Sequence, residues 1–112
     1  CIRDRYNLGI GDHALGGLYS GSNNIAIGKY AGLALSTGNG NTLLGSDTDV
    51  STGNLSNSIA IGRLAQITAS NQFVVGSTSY PAGTITTEAL TPTKSWTVNI
   101  NGVNYKIPLQ IA

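Results

Sequence analysis

Asn24-Ile25-Ala26-Ile27-Gly28 is the stretch that decides the fold, because it recurs. Asn7-Leu8-Gly9-Ile10-Gly11 precedes it, and Asn41-Thr42-Leu43-Leu44-Gly45 and Ser58-Ile59-Ala60-Ile61-Gly62 follow it. The closing glycines Gly11, Gly28, Gly45 and Gly62 are spaced by 17 residues at every step. A divergent fifth copy, Gln72-Phe73-Val74-Val75-Gly76, comes after a step of 14. A fixed period near ~20 residues is the sign of a stacked-repeat architecture.

Within one period the pattern is a short apolar run, a Gly, a weaker apolar stretch around Leu33 and Leu35, and a turn rich in Ser, Thr, Gly and Asn. Two short extended pieces and two turns per unit is the natural reading. Helix is disfavoured, since Gly and β-branched residues recur and no window carries apolar residues at i, i+3, i+4 and i+7. Stacked rungs give each short strand hydrogen-bonded neighbours about 4.8 Å above and below. The same positions then form columns. Ile10, Ile27, Leu44, Ile61 and Val75 make one apolar column, with Ile27 expected to point inward. Leu8, Ile25, Thr42 or Leu43, Ile59 and Phe73 make another. Asp12, Lys29, Ser46, Arg63 and Ser77 read as the solvent face. The glycine belongs at a corner with φ > 0 or where another backbone comes close. The recurring Asn suits a turn, and stacked Asn can ladder from rung to rung.

Residues 1–6 read as the end of an upstream segment, 7–76 as the repeat array and 77–94 as a linker rich in Ser, Thr, Pro and Gly, with one short strand over 84–87. Residues 95–112 form a C-terminal β-hairpin. Trp96, Val98 and Ile100 alternate with Thr97 and Asn99, and Val103, Tyr105 and Ile107 alternate with Asn104 and Lys106. Asn101-Gly102 between them is a type I′ turn. Pro108 marks an edge strand.

Composition narrows the function. Of the 112 residues only 10% are charged, and the net charge is +1. The basic residues Arg3, Arg5, Lys29, Arg63, Lys94 and Lys106 are scattered, so there is no patch for nucleic acid or acidic lipid. No apolar run approaches the ~20 residues of a membrane helix, and no membrane insertion is expected. Cys1 is the one cysteine, which excludes an intrachain disulfide. A chain that opens on Cys reads as a fragment of a longer protein; a mature lipoprotein is the alternative.

Chemistry-bearing motifs are weak. Gly9-Ile10-Gly11-Asp12-His13-Ala14 fits the Gly-x-Gly-x-x-Ala form of a dinucleotide loop, but that needs a following helix and an acidic ribose partner. A first rung is the simpler reading. Asp47 through Asn54 faintly resembles a calcium loop, with its Gly one place late and no bidentate acid. His13 is the only histidine, a poor metal site unless three copies meet on an axis. Glycan hydrolysis needs paired carboxylates, and among Asp4, Asp12, Asp47, Asp49 and Glu88 only Asp47 and Asp49 are close in sequence. Asn54-Leu55-Ser56 is a glycosylation triplet of a kind frequent by chance in such chains. Tyr6, Tyr19, Tyr30, Tyr80, Tyr105 and Trp96 can stack on sugars where exposed. The chain reads as a non-enzyme with no cofactor, no metal and no catalytic residue.

Asn24-Ile25-Ala26-Ile27-Gly28-Lys29-Tyr30-Ala31-Gly32, the stretch Thr37 to Gly45 and Asn57-Ser58-Ile59-Ala60-Ile61-Gly62 resemble the repeats of phage tail-fibre proteins. They are also similar to the head repeats of trimeric autotransporter adhesins, which form a left-handed parallel β-roll on a rung of about 14 residues. The 17-residue step fits the longer fibre-type repeat, and the last step fits the adhesin head. The resemblance covers 7–76 and, loosely, 94–112. It implies an elongated β-structure on a virion or cell surface.

Burial adds a requirement. A thin stack of this length has little core to cover apolar columns or the apolar face of a hairpin. Several chains packed around a shared axis solve both problems. The expectation is therefore an all-β, intertwined homotrimer: a short parallel β-solenoid of 17-residue rungs followed by a C-terminal β-hairpin. Its expected role is as a structural segment of a phage tail fibre or similar appendage, attaching to a host-surface glycan or protein by multivalent display. Its partners would be itself and the upstream part of the same fibre. An adhesin head or self-assembling extracellular fibre, and a tailspike-like glycan hydrolase, are the alternatives.

Overall fold

The computed structural model describes residues 6–83 and 94–109. The recurring stretch forms one parallel sheet from strands β1 (Leu8–Ile10), β2 (Ile25–Ile27), β3 (Thr42–Leu44), β5 (Ile59–Ile61) and β7 (Phe73–Val75), in the order β1-β2-β3-β5-β7. The register follows the repeat: Leu8 pairs with Ile25, Ile25 with Thr42, Thr42 with Ile59 and Ile59 with Phe73. Strands of 3 residues are too short to stand alone. They persist because each rung hydrogen-bonds the next, as where the Leu8 amide donates to the Asn24 carbonyl and the Gly28 amide to that of Ile10, both at 2.8 Å.

The second extended piece is narrower than expected. Only β4 (Asp49–Val50) and β6 (Gln66–Ile67) pair there, in parallel. In the first two rungs the matching positions turn instead, with Leu15 (φ 53) and Gly32 (φ 67) in the left-handed region. A left-handed residue interrupts a strand. The two layers enclose a small core: Ala26, Leu43 and Ala60 from the sheet meet Leu15, Ala31, Leu35, Val50, Ala65 and Ile67. Small and large side chains alternate along the stack, and the Leu15 and Leu43 side chains fill the space that Gly32 leaves open.

Ile27 does not point inward. Ile25 and Ile27 are each 38% exposed, while Ala26 between them is fully buried. The cause is the residue before the strand. Asn24 and Asn41 are fully buried, and side chains in a strand alternate faces. With Asn24 turned in, Ala26 must turn in, and Ile25 and Ile27 must turn out.

The buried amides make a continuous ladder. The Asn24 amide donates to Asn7 Oδ1 and the Asn41 amide to Asn24 Oδ1, both at 2.9 Å. The Ser58 amide continues the series to Asn41 Oδ1, and the Gln72 amide to Ser58 Oγ, both at 3.1 Å. The other end of each side chain ties down the outer turn: Asn24 Nδ2 donates to the Gly38 carbonyl and Asn41 Nδ2 to that of Leu55, both at 2.8 Å. So the Asn spans the gap between the sheet and the turn opposite it.

The step of 14 is a deletion in that turn. Val50 pairs with Ile67 at the full spacing, whereas Ile59 pairs with Phe73 at the shorter one. The residues are therefore lost between β6 and β7. Gln72 compensates, its side-chain carbonyl accepting from the Thr68 amide at 2.8 Å and the Ala69 amide at 3.3 Å.

The column glycines meet both backbone demands at once. Gly28 and Gly45 have φ of 138° and 137°, and a Cβ on Gly28 would collide with the Gly45 carbonyl of the next rung.

Strands β8 (Lys94–Ile100) and β9 (Val103–Leu109) form the expected antiparallel hairpin. Asn101 (φ 54) and Gly102 (φ 79) are both left-handed, as a type I′ turn requires. Asn99 braces the turn by accepting from the Gly102 amide at 3.1 Å and donating to Asn104 Oδ1 at 2.8 Å. Most of the linker, with the strand expected over 84–87, lies outside the described residues, as do residues 1–5 and 110–112.

Four substitutions test this account. Gly28→Ala adds a left-handed strain and a backbone collision and is expected to lower stability by about 2–4 kcal/mol. Gly83→Ala, with nothing near its Cβ, is expected to stay within about 0.5 kcal/mol; urea unfolding of both variants gives the comparison. Asn41→Ala strands the Ser58 amide and the Leu55 carbonyl, at about 1–3 kcal/mol each. Asn41→Ser is expected to lose less, because Ser58 already serves that position one rung on, and thermal melts order the two.

Candidate functional site

The parity set by the ladder gives the array its most distinctive surface. Leu8, Ile25, Thr42, Ile59 and Phe73 form one outward column, and Ile10, Ile27, Leu44, Ile61 and Val75 the other, side by side on the sheet's outer face. None of these residues is charged, and Phe73 at one end of the stack is 67% exposed. Five rungs spaced by about 4.8 Å make a flat, contiguous apolar area of a few hundred Å².

Several charged groups gather at the adjoining corner. Asp12, Lys29 and Arg63 follow the column glycines and are exposed, as expected, whereas Ser46 and Ser77 in the same places are half-buried. His13, Tyr30, Asp47 and Leu64 come next, all left-handed with φ of 54–57°. His13 stacks on Tyr30 with ring centroids 5.5 Å apart. Lys29 Nζ lies 4.8 Å from the Tyr30 centroid, and the Arg63 guanidinium lies 4.3 Å from that of Tyr80. Such exposed contacts each contribute about 0.5–1 kcal/mol. His13 Nε2 lies 3.7 Å from Asp12 Oδ1, an exposed pair of little energetic consequence.

The motifs singled out in the sequence take structural places. Gly9 and Gly11 belong to the first strand and its corner, and turns rather than a helix follow. Asp47 accepts from Ser46 Oγ at 2.8 Å. Asp49 is turned onto backbone, accepting from the Ala34 amide at 3.0 Å and its neighbour Val50 at 2.9 Å. The two carboxylates therefore do not combine into one site. Among the described residues no three or more His, Cys, Asp or Glu gather where they could hold a metal ion. Asn54-Leu55-Ser56 lies in the outer turn with Asn54 exposed. Tyr6 and Tyr19 are each 90% exposed. The outward face itself was legible only in part: the columns follow from the repeat, but their direction depends on recognising the Asn as a buried ladder.

The hairpin repeats the theme. Val98 pairs with Tyr105 and Ile100 with Val103 on one face, against Thr97 with Lys106 and Asn99 with Asn104 on the other. Ile100, Val103, Tyr105 and Ile107 are all exposed. No described helix is long and apolar enough to cross a membrane.

The fold and these surfaces define a β-solenoid repeat protein with uncovered apolar faces. Family models, curated proteins and solved structures were compared with the chain, and none matches.

Burial raises the Asp49 carboxyl above its ordinary value of 3.8, against the lowering effect of the Val50 and Ala34 amides. The folded state then favours the protonated acid. Its contribution to stability is full below 3.8 and is lost as pH rises through the higher folded value. Denaturant titrations at a series of pH values are expected to show the wild type gaining stability relative to Asp49→Asn as pH falls from 7 toward 3.8.

Proposed function

We propose that this chain is a structural segment of a trimeric fibre or similar appendage on a virion or cell surface, contributing to host-surface attachment by multivalent display. The observation that carries the reading is the uncharged outward face of the five-stranded sheet. Such a face needs a cover, and three copies provide one. Packed sheets lie ~10 Å apart, so each would stand ~5 Å from a shared axis, and a triangle of that inradius has sides of ~17 Å, about five extended residues. Residues 24–28 supply that width between left-handed Asn23 and the bend at Gly28. Rungs pair within each chain, and the three stacks stand side by side. The hairpin's apolar face supplies a second contact of the same kind.

The resemblance of the repeats to phage tail fibres supports the placement on a surface appendage. Its mechanism is geometric: every exposed corner occurs three times, so a weak contact to a glycan or protein is multiplied into avidity.

Light scattering of the chain is expected to give three times its 11.5 kDa mass. Ile27→Glu places a charge on a residue that is exposed in the single chain, so the fold survives while the assembly does not. Self-association is expected to weaken at least ~100-fold, because three unpaired charges meet at the axis. An unchanged mass for Ile27→Glu would remove the interface from this face. Labelled wild type is expected to bind host cells about 100-fold or more tightly than the Ile27→Glu monomer.

A further inference from the structure

We infer that Thr42 sets the rung register between the three chains, as the one polar group in an otherwise apolar contact; this rests on the trimeric reading above. A face built from similar apolar rungs has a built-in ambiguity. Sliding one chain by a single rung, about 4.8 Å, still sets uncharged, mostly apolar side chains against one another. Ile25 and Ile27 repeat as Ile59 and Ile61, two rungs away. Shape alone therefore discriminates poorly between alignments in the middle of the stack.

Thr42 breaks that periodicity at the central rung. Its position is Ile in the rungs on both sides, Ile25 above and Ile59 below. The backbone amide of Thr42 is used, donating to the Ser58 carbonyl at 2.9 Å. Its hydroxyl makes no hydrogen bond within the described residues, although every buried polar side-chain atom described has a partner. A hydroxyl both donates and accepts. Three of them in one layer close a ring in which each donates to the next. A chain displaced by one rung sets its hydroxyl among Ile side chains, where it stays unpaired and disfavoured. A single polar residue within a repeating apolar seam is an attested device for fixing register.

The occupant of the face follows from the same spacing. A surface that meets five rungs in step must carry the same period, and a second copy of this chain does. Charged groups of the corner, Asp12, Lys29 and Arg63, lie outside the columns and do not oppose the contact.

The chain's one phenylalanine, Phe73, lies on this face and reports the alignment when replaced by 4-fluorophenylalanine. In a three-fold assembly with matched rungs the three labels are equivalent and give one fluorine resonance; in a staggered assembly they are not. The full chain is expected to scatter as a trimer and show one resonance. Thr42→Ile, which installs the residue of the flanking rungs, is expected to remain trimeric but show several resonances. Thr42→Ser, which keeps the hydroxyl, is expected to return to one. A trimeric Thr42→Ile with a single unshifted resonance overturns the role of Thr42 and leaves the trimer standing. Several resonances from the trimeric wild type overturn matched register. A wild-type mass of one chain overturns the trimeric reading, and the inference with it.

Discussion

The structure depends on a hydrogen bond that runs along the stack: a side-chain oxygen at one rung accepting the backbone amide of the next. Asn7, Asn24, Asn41 and Ser58 carry it, and Gln72 ends it. This bond does three things at once. It satisfies amides where the chain leaves the outer turn for the strand. Where the residue is Asn, it holds the two sides of the rung together through Nδ2. And it fixes which way the strand faces, because an Asn that must be buried forces every second residue after it inward. The inward slots go to Ala26, Leu43 and Ala60, and the Ile side chains on either side of Ala26 and Ala60 are left outside. The same bond that stabilises the single chain thus turns an apolar face outward.

Much of this was legible in the residues. The period located β1, β2, β3, β5 and β7, and it assigned their register, since equal spacing of Gly11, Gly28, Gly45 and Gly62 allows only one pairing. Asn101-Gly102 between alternating runs located the hairpin and its turn. The direction of the Ile columns was not legible from hydropathy, which reads Ile as inward. A buried polar residue overrode that preference, and hydropathy has no way to express it. Nor did the spacing tell where the three residues of the short step were lost. The local turn chemistry decides that, with the Gln72 side chain reaching back to Thr68 and Ala69 where a longer turn would have closed itself.

The second layer shows why two extended pieces per rung was only partly right. Leu15, Gly32, Asp49 and Gln66 occupy equivalent places, yet only the last two are strand. Leu15 and Gly32 take left-handed conformations, and the rung curls inward over Ala26 and Leu43. This side of the solenoid adapts residue by residue because it is held from within, whereas the ladder side cannot vary without breaking a bond to its neighbours.

That contrast separates scaffold from surface. Positions equivalent to Asn24, Ala26 and Gly28 are filled by a narrow set of residues, each limited by a buried bond, a small cavity or a close backbone. The corner two residues past the glycine is different. His13, Tyr30, Asp47 and Leu64 share one left-handed backbone state, which ordinarily costs a side chain about 1 kcal/mol or more. The stack imposes it through amides of Tyr30, Asp47 and Leu64 donating to Asp12, Lys29 and Ser46 of the preceding rung. The backbone there is dictated by the neighbours rather than by the residue itself, so four unrelated side chains are carried on the same support. Side-chain chemistry at this corner can therefore change from rung to rung on a frame that does not.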